Sequence, residues 1–287
     1  MADTLNIGAV SYLNTLPLVH GMANGLAADR IRLSYATPAV LADRLAAREL
    51  DVALLPVIEL ARIPELEIVP GLGITTDGPS RSVLLVSKRP VEQITSVALD
   101  PDSRTSNVLC QVLLAEVWNH RPETLAGRRD LGECLRSADA AVRIGDKALF
   151  EPPPRQTHVY DLSEIWTRQT KLPFVFAAWA ARAGVVDREL YRVLHASRRE
   201  GSKAIGRIAE DYRWNGTPQP EIAREYLTEQ IHFRLGAAEL RAMELFFAAA
   251  HERGLIDTVP TIRLALQRWT GCHETAAQHG LITRPTR

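Results

Sequence analysis

The sequence predicts an α/β protein of two lobes, with a cleft between them and a helical C-terminal region. Three observations carry that prediction. The 287 residues exceed what one ordinary core holds and suit two lobes. Strand and helix patterns alternate from Leu5 to Val57, and a second alternation begins at Ser96 after an extended, Gly- and Pro-rich stretch. From Asp187 onward the pattern is helical.

The elements follow in order. Leu5–Val10 is a short apolar strand, and Leu16–Leu26 reads as a helix. Ile31–Ala36 alternates as a strand does, and Pro38 opens a helix running through Leu50. Asp51–Val57 is a continuous apolar run, the mark of a strand buried on both faces. This β-α-β-α-β rhythm implies a parallel sheet covered by helices, and such sheets bind ligands in the loops at the carboxyl ends of strands. Ile68–Ile74 and Ser82–Lys88 are extended, with GLGITTDGPS before and between them, and read as crossover strands. That segment lacks the glycine spacing and the strand–helix setting of a dinucleotide loop.

Val97–Asp100 then forms a strand, DPDSRTSN a loop and helix start, and Val108–Trp118 a helix. Ala140–Ile144 is a strand that ends at Gly145 and Asp146, and EPPPRQ is a loop. The aromatic run Pro173–Trp179 suits a returning strand. Helical segments follow at Leu190–His195, Ser202–Tyr212, Pro220–Phe233 and Ala237–Arg253, the last capped by Gly254. One arrangement accounts for this order: residues 1–88 and 178–287 form a discontinuous first lobe, and residues 89–177 form an inserted second lobe. Crossovers between lobes make a hinge, and hinge closure around a ligand is a standard transition. A single large doubly wound sheet is the alternative arrangement.

Bulk properties exclude several classes. Hydrophobic residues at 46% and charged residues at 24% are those of a globular chain rather than a disordered one. Lys plus Arg and Asp plus Glu both total 34, so no general field draws nucleic acid or an anionic membrane. An anion must therefore be held by local donors. Cys110, Cys134 and Cys272 are scattered and lack paired spacing, which predicts reduced thiols, no disulfide framework and no zinc site. The histidines form no ligand cluster, so no metal is expected. No basic and apolar leader precedes the first strand, and no apolar run reaches the roughly 20 residues of a membrane span. A cytoplasmic location without membrane or nucleic-acid partners is expected; the oligomeric state is left open.

Four segments hold the candidate site residues. Ser11–Pro17 (SYLNTLP) lies between the first strand and first helix, and its Ser11, Tyr12 and Asn14 stand beside unpaired helix-start amides. Such a place suits a carboxylate, and it equally suits simple helix capping. Asp102–Asn107 (DSRTSN) is the matching loop of the second lobe, where Ser103, Thr105 and Ser106 can hold an oxyanion or merely form a capped turn. Arg81 and Ser82 open a crossover strand, so Arg81 either forks onto a ligand carboxylate or is a solvated surface residue. Gly145 permits close backbone approach, and Asp146 reads first as a helix cap and second as a base.

Taken together, IGAVSYLNTLPL, LDVALLPVIEL, SRSVLLVSK, VALDPDSRTSNVL, AAVRIGDKAL and DLSEIWTRQTKLPFVFAAW resemble the chorismate dehydratases of the futalosine route to menaquinone. The motifs run in order from residue 7 to 179, and the C-terminal third adds little to the likeness. The resemblance implies the two-lobed type 2 periplasmic-binding-protein-like fold, used as an enzyme in the cytoplasm. It implies loss of water from chorismate to give 3-[(1-carboxyvinyl)oxy]benzoate, with chorismate as the small-molecule partner and no cofactor. It points to Asn14 and Ser82 at the reacting centre, with Thr105, Ser106 and Gly145 lining the ligand. None of these motif positions supplies an obvious His, Lys or Glu base, so the substrate's own enolpyruvyl carboxylate is expected to take the proton, with Asp146 as the protein's best rival. The competing readings are a small-carboxylate solute-binding protein, the paralogous 1,4-dihydroxy-6-naphthoate synthase and a ligand-sensing regulator, the last lacking any basic helix-turn-helix segment.

Overall fold

In the computed structural model, which describes residues 4–266, the chain builds two large sheets that share one layout, besides a small two-stranded one. The first begins with β1 (Leu5–Ala9), α1 (Leu16–Ala23), β2 (Ile31–Tyr35), α2 (Pro38–Ala46) and β3 (Val52–Pro56). β1 pairs with β2 and β3, both parallel, as the alternation predicts. β4 (Leu66–Thr76) continues in the same sheet, and the chain then crosses through residues 77–82. Both α1 and α2 carry a proline at the first helical positions, where the missing N–H costs nothing.

The second sheet holds β5 (Val83–Ser87), β6 (Ser96–Leu99), α3 (Thr105–Val117), β7 (Glu123–Ala126), α4 (Leu131–Ser137), β8 (Ala140–Ile144), α5 (Gly145–Phe150), β9 (His158–Asp161) and α6 (Leu162–Thr170). β6 runs parallel to β7 and β8, while β5 lies antiparallel between β8 and β9. β10 (Phe174–Arg182) then returns to the first sheet, antiparallel to both β3 and β4. The first sheet runs β13-β4-β10-β3-β1-β2 and the second β7-β6-β8-β5-β9. Each is thus a parallel trio with one antiparallel crossing strand at its side. β5, which the expected boundary at residue 88 assigns to the first lobe, hydrogen-bonds in the second sheet.

The remaining elements are α7 (Arg188–Lys203), α8 (Ile205–Asp211), β11 (Arg213–Trp214), β12 (Thr217–Pro218), α9 (Pro220–Glu225), α10 (Ala237–Glu252) and β13 (Arg263–Leu264). α7 buries Leu190, Leu194, Ser197 and Gly201, one stripe at helical spacing, and packs it on α1. The contact is close because it is made by small residues: a Cβ on Gly201 would stand 2.0 Å from the Pro17 carbonyl oxygen. The Ser197 hydroxyl donates to Leu18 O at 2.9 Å there and accepts from Met22 N.

Several elements depart from the pattern reading. The segment Pro220–Phe233 is α-helical only to Glu225, widens into a π turn at Tyr226–Gln230, and then pairs His232 with Thr75. β13 covers β4 only at Glu67 and Ile68, so the Thr75 backbone groups are open to capture the chain. β7, α4, β9 and α6 were not legible. β7 is a short, mostly exposed edge strand without alternation. α6 starts where the Asp161 carboxylate accepts from Ser163 N and Glu164 N, a cap recognised only once the fold is known.

The joint at the return crossing is aromatic. Trp166 and Phe174 stand edge-to-face with each other and with Phe246, and the Trp166 indole donates to Pro173 O. Trp179, farther along β10, is fully buried in the first sheet. No helix among the described residues is long and apolar enough to cross a membrane. Cys110 and Cys134 are buried free thiols, and burial pushes Cys110 up to about 12; Cys272 lies outside the described residues.

Candidate active site

A cavity opens between the sheets at the carboxyl ends of their parallel strands. Val10 after β1, Pro38 after β2 and Pro56 at the end of β3 line it from one side. Ser103, Thr105 and Ser106 after β6, and Ile144 and Gly145 at the end of β8, line it from the other. Leu54, Ile74, Val83 and Phe176 supply apolar wall. The remaining polar lining is Tyr12, Asn14, Ser82 and Asp102.

Of the sequence candidates, Tyr12, Asn14, Ser82, Ser103, Thr105, Ser106 and Gly145 come together here. Ser11 is exposed and does not line the cavity. Arg81 does not line it either: its guanidinium pairs with Glu225 at 2.8 Å on the surface. Asp146 is buried behind the cavity wall rather than in it.

After β1 the chain turns through Leu13–Thr15 into α1, and no side-chain hydrogen bond caps either helix start. The capping explanation of Asn14 therefore has no contact behind it. Its Nδ2 donates to the Tyr226 hydroxyl at 3.0 Å, and that hydroxyl donates to Ser82 Oγ at 2.8 Å. Ser82 and Tyr226 are both buried. Burial raises the Tyr226 phenol well above its ordinary range, so it stays protonated.

The loop after β6 is stapled locally. Asn107 Oδ1 accepts from Asp100 N and its Nδ2 donates to Asp100 O, while Ser103 Oγ accepts from Ser106 N. Asp102 is held by Lys147 at 2.9 Å. Asp100 behind it accepts from Asp102 N and Ile144 N, and burial raises its carboxyl against the pull of Lys147. Three contacts tie this loop to the elements around the first sheet: Ile58 N donates to Thr105 Oγ1 at 3.2 Å, and Arg104 pairs with buried Glu59 at 2.9 Å and with Asp43 at 3.9 Å. Burial raises Glu59 even with Arg104 beside it.

Gly145 has φ +65, a conformation glycine adopts freely, and its N–H donates to Ser82 O at 2.8 Å. A Cβ there would meet the Tyr12 ring at 3.6 Å, so backbone and ring close the cavity together. Asp146 accepts from Leu13 N at 3.2 Å and from the Tyr212 hydroxyl at 2.8 Å. Burial pushes its carboxyl up to about 6, against the lowering effect of those two donors. It thereby fastens α5 of the second sheet to the first loop and to the C-terminal helical segment.

Tyr212 and Tyr226 were not found from sequence. Each is a lone tyrosine in a polar helical stretch, and no local pattern separates it from a surface residue. Among the lining residues Asp102 alone bears a charge, and none is His, Lys, Arg or Glu. The lining presents hydroxyls, an amide and the amino end of α3, whose first turn contains no acidic residue, beside the Asp102 carboxylate.

The sequence model of the menaquinone biosynthesis family matches residues 5–252. The chain belongs to this family. A chorismate dehydratase of Thermus thermophilus is 31% identical over 241 residues, 77% of this chain and 86% of the relative. A chorismate dehydratase of Campylobacter jejuni is 29% identical over 248 residues, 84% of this chain and 96% of the relative. Solved structures share the fold at lower identity. A protein of Archaeoglobus fulgidus matches with a TM-score of 0.69 at 16% identity, covering 88% of this chain and 98% of its own. The alkanesulfonate-binding protein of Xanthomonas axonopodis matches with a TM-score of 0.62 at 14% identity, covering 92% and 98%. The menaquinone biosynthesis family member thus has the fold of periplasmic binding proteins, as the sequence resemblance implied.

Proposed function

We propose that this protein is a chorismate dehydratase, a carbon–oxygen lyase that converts chorismate to 3-[(1-carboxyvinyl)oxy]benzoate and water in menaquinone biosynthesis. The observation that carries the reading is a family match over residues 5–252 around a cavity rich in hydroxyls and lined, among the described residues, by no His, Lys, Arg or Glu. The reaction asks little more of the site. The hydrogen at C3 of chorismate is acidified by conjugation through a ring double bond to the ring carboxylate. The hydroxyl on C4 leaves, and the product is aromatic, so the chemical driving force resides in the substrate.

Asp102, the one charged lining residue among those described, is tied up by Lys147, and the enolpyruvyl carboxylate of chorismate takes the C3 proton. The electron pair of that C–H bond becomes the new ring π bond, the C4–O bond breaks, and the proton completes the departing water. Between them Asn14 and Ser82 orient the carboxylate and assist the departing hydroxyl, Ser82 donating to the carboxylate and Asn14 Oδ1 accepting from the C4 hydroxyl, while Ser103, Thr105 and Ser106 at the amino end of α3 bind the other carboxylate. The two sheets act as two lobes that close on the substrate, with residues 77–82 and the joint before β10 as hinge. Two buried free thiols suit a cytoplasmic setting.

The test is direct. Purified protein is mixed with chorismate, without added cofactor, and the products are separated and weighed by mass spectrometry. Enzyme-dependent loss of one water to the enolpyruvyl-ether benzoate is expected. Chorismate left intact by folded protein removes the assignment and returns the chain to a carboxylate-binding role on the same fold.

A further inference from the structure

Tyr226 lies 212 residues after Asn14 and 144 after Ser82, yet its hydroxyl sits between them. It has no place in the lining of the cavity and is buried among apolar side chains, so it does not touch a ligand there. Its single hydroxyl hydrogen goes to Ser82 Oγ, and its oxygen accepts from Asn14 Nδ2. A phenol offers one hydrogen and a serine offers one. With the Tyr226 hydrogen spent on Ser82, the Ser82 hydrogen is released to donate elsewhere, and Ser82 borders the cavity. With Asn14 Nδ2 spent on Tyr226, the amide is fixed against flipping. Its Oδ1, buried and unpaired among the described residues, remains an unspent acceptor.

We propose that Tyr226 is a positioning residue of the dehydration: it sets the hydrogen-bond direction of both cavity residues, making Ser82 a donor and Asn14 an acceptor toward the bound substrate. This rests on the dehydratase reading. The device explains why a tyrosine is buried at the widened turn Tyr226–Gln230. Burial keeps the phenol protonated, so it stays a donor across the working pH range. Without its hydroxyl, Ser82 rotates among several hydrogen positions and the Asn14 amide can flip. Only a fraction of the molecules then holds the productive arrangement, while the shape that binds substrate is unchanged.

Tyr226→Phe keeps the ring and removes the hydroxyl. The expected result is a fall in kcat of about 10- to 100-fold with KM within about threefold, in a variant that still unfolds cooperatively. The double variant Y226F/S82A is expected to lose less than the product of the two single losses, because the tyrosine acts partly through that serine and partly through Asn14. A kcat within twofold of wild type, or losses that multiply in the double variant, overturns the proposal; the latter is what a merely structural role gives. If Y226F fails to fold, 3-fluorotyrosine placed at position 226 keeps the hydroxyl and strengthens it as a donor. It is then expected to raise kcat, and an unchanged or lowered kcat overturns the proposal. The wild-type assay separates the two readings: no turnover by wild type defeats the dehydratase assignment, whereas normal turnover with an indifferent Y226F defeats only the role of Tyr226.

Discussion

The two sheets share a layout, so the loop after β1 and the loop after β6 occupy equivalent places, and they are built in opposite ways. The loop after β6 is shaped by its neighbours in sequence, with Asn107 stapling Asp100 and Ser103 holding Ser106, and Arg104 and Thr105 add contacts to the first sheet. The loop after β1 has no side-chain cap of its own and is organised from afar, with Leu13 N held by Asp146 and Asn14 by Tyr226. In the proposed enzyme, the locally stapled part of the loop after β6 keeps its shape if the lobes part, although its Arg104 and Thr105 contacts are lost. A remotely built loop is complete only when the second sheet and the C-terminal helices are in place. In the proposed enzyme, the first kind suits binding and the second suits chemistry, which then happens only in the closed cleft.

The strongest challenge to this contrast is removal of the remote pair. Asn14→Ala and Ser82→Ala are each expected to lower kcat by about a hundredfold or more while weakening substrate binding far less. Steady-state kinetics beside direct binding measurements decide it. A wild-type rate in either variant removes that residue from the mechanism.

Asp146 gives the next largest effect, as pH dependence. Burial raises its folded pKa to about 6 from 3.8, so the folded state holds the proton more tightly than the unfolded chain does. The stability this contributes is fully present below about pH 4 and is lost as pH rises through about 6. The shift corresponds to about 3 kcal/mol. Urea unfolding should therefore show the stability of wild type relative to Asp146→Asn falling by about that amount between pH 4 and pH 7. Turnover of Asp146→Asn at pH 7 should stay within about threefold of wild type, because the carboxylate fastens the lobes and lies outside the cavity. Abolished turnover with intact binding and fold would make Asp146 the base and end the substrate-assisted reading.

The locally built loop predicts a different signature. Ser106→Ala should raise KM about five- to tenfold with kcat within about threefold, since one hydroxyl donor to a carboxylate is lost. A kcat loss as large as that of Ser82→Ala would erase the distinction between the loops. The smallest effect belongs to Arg81→Ala. Its ion pair with Glu225 is exposed, so kcat/KM should stay within twofold and Tm within about 1 °C.

Much of this molecule was legible because local rules sufficed. The alternation from Leu5 to Val57 announced the parallel trio, and the loops after β1 and β6 could be named as sites because ligands gather at strand ends. The quoted motifs carried the family. The edge strand β7 was missed because exposure leaves no alternation to read, and the π turn at Tyr226 because an open backbone edge at Thr75 drew the chain out of its helix.

The sequence by itself determined the periodicities, the neutral charge and the residue types at the strand ends, for these are properties of neighbours along the chain. Only the tertiary structure decided which polar atoms meet. Asp146 reads first as a cap but fastens two sheets, Arg81 reads as either a ligand clamp or a surface residue and pairs at the surface, and Tyr226 reads as one more helical tyrosine but joins Asn14 to Ser82. A hydrogen bond needs its atoms within about 3 Å of each other, and between residues 133 or more apart that proximity is set by the packing of whole elements rather than by any local preference.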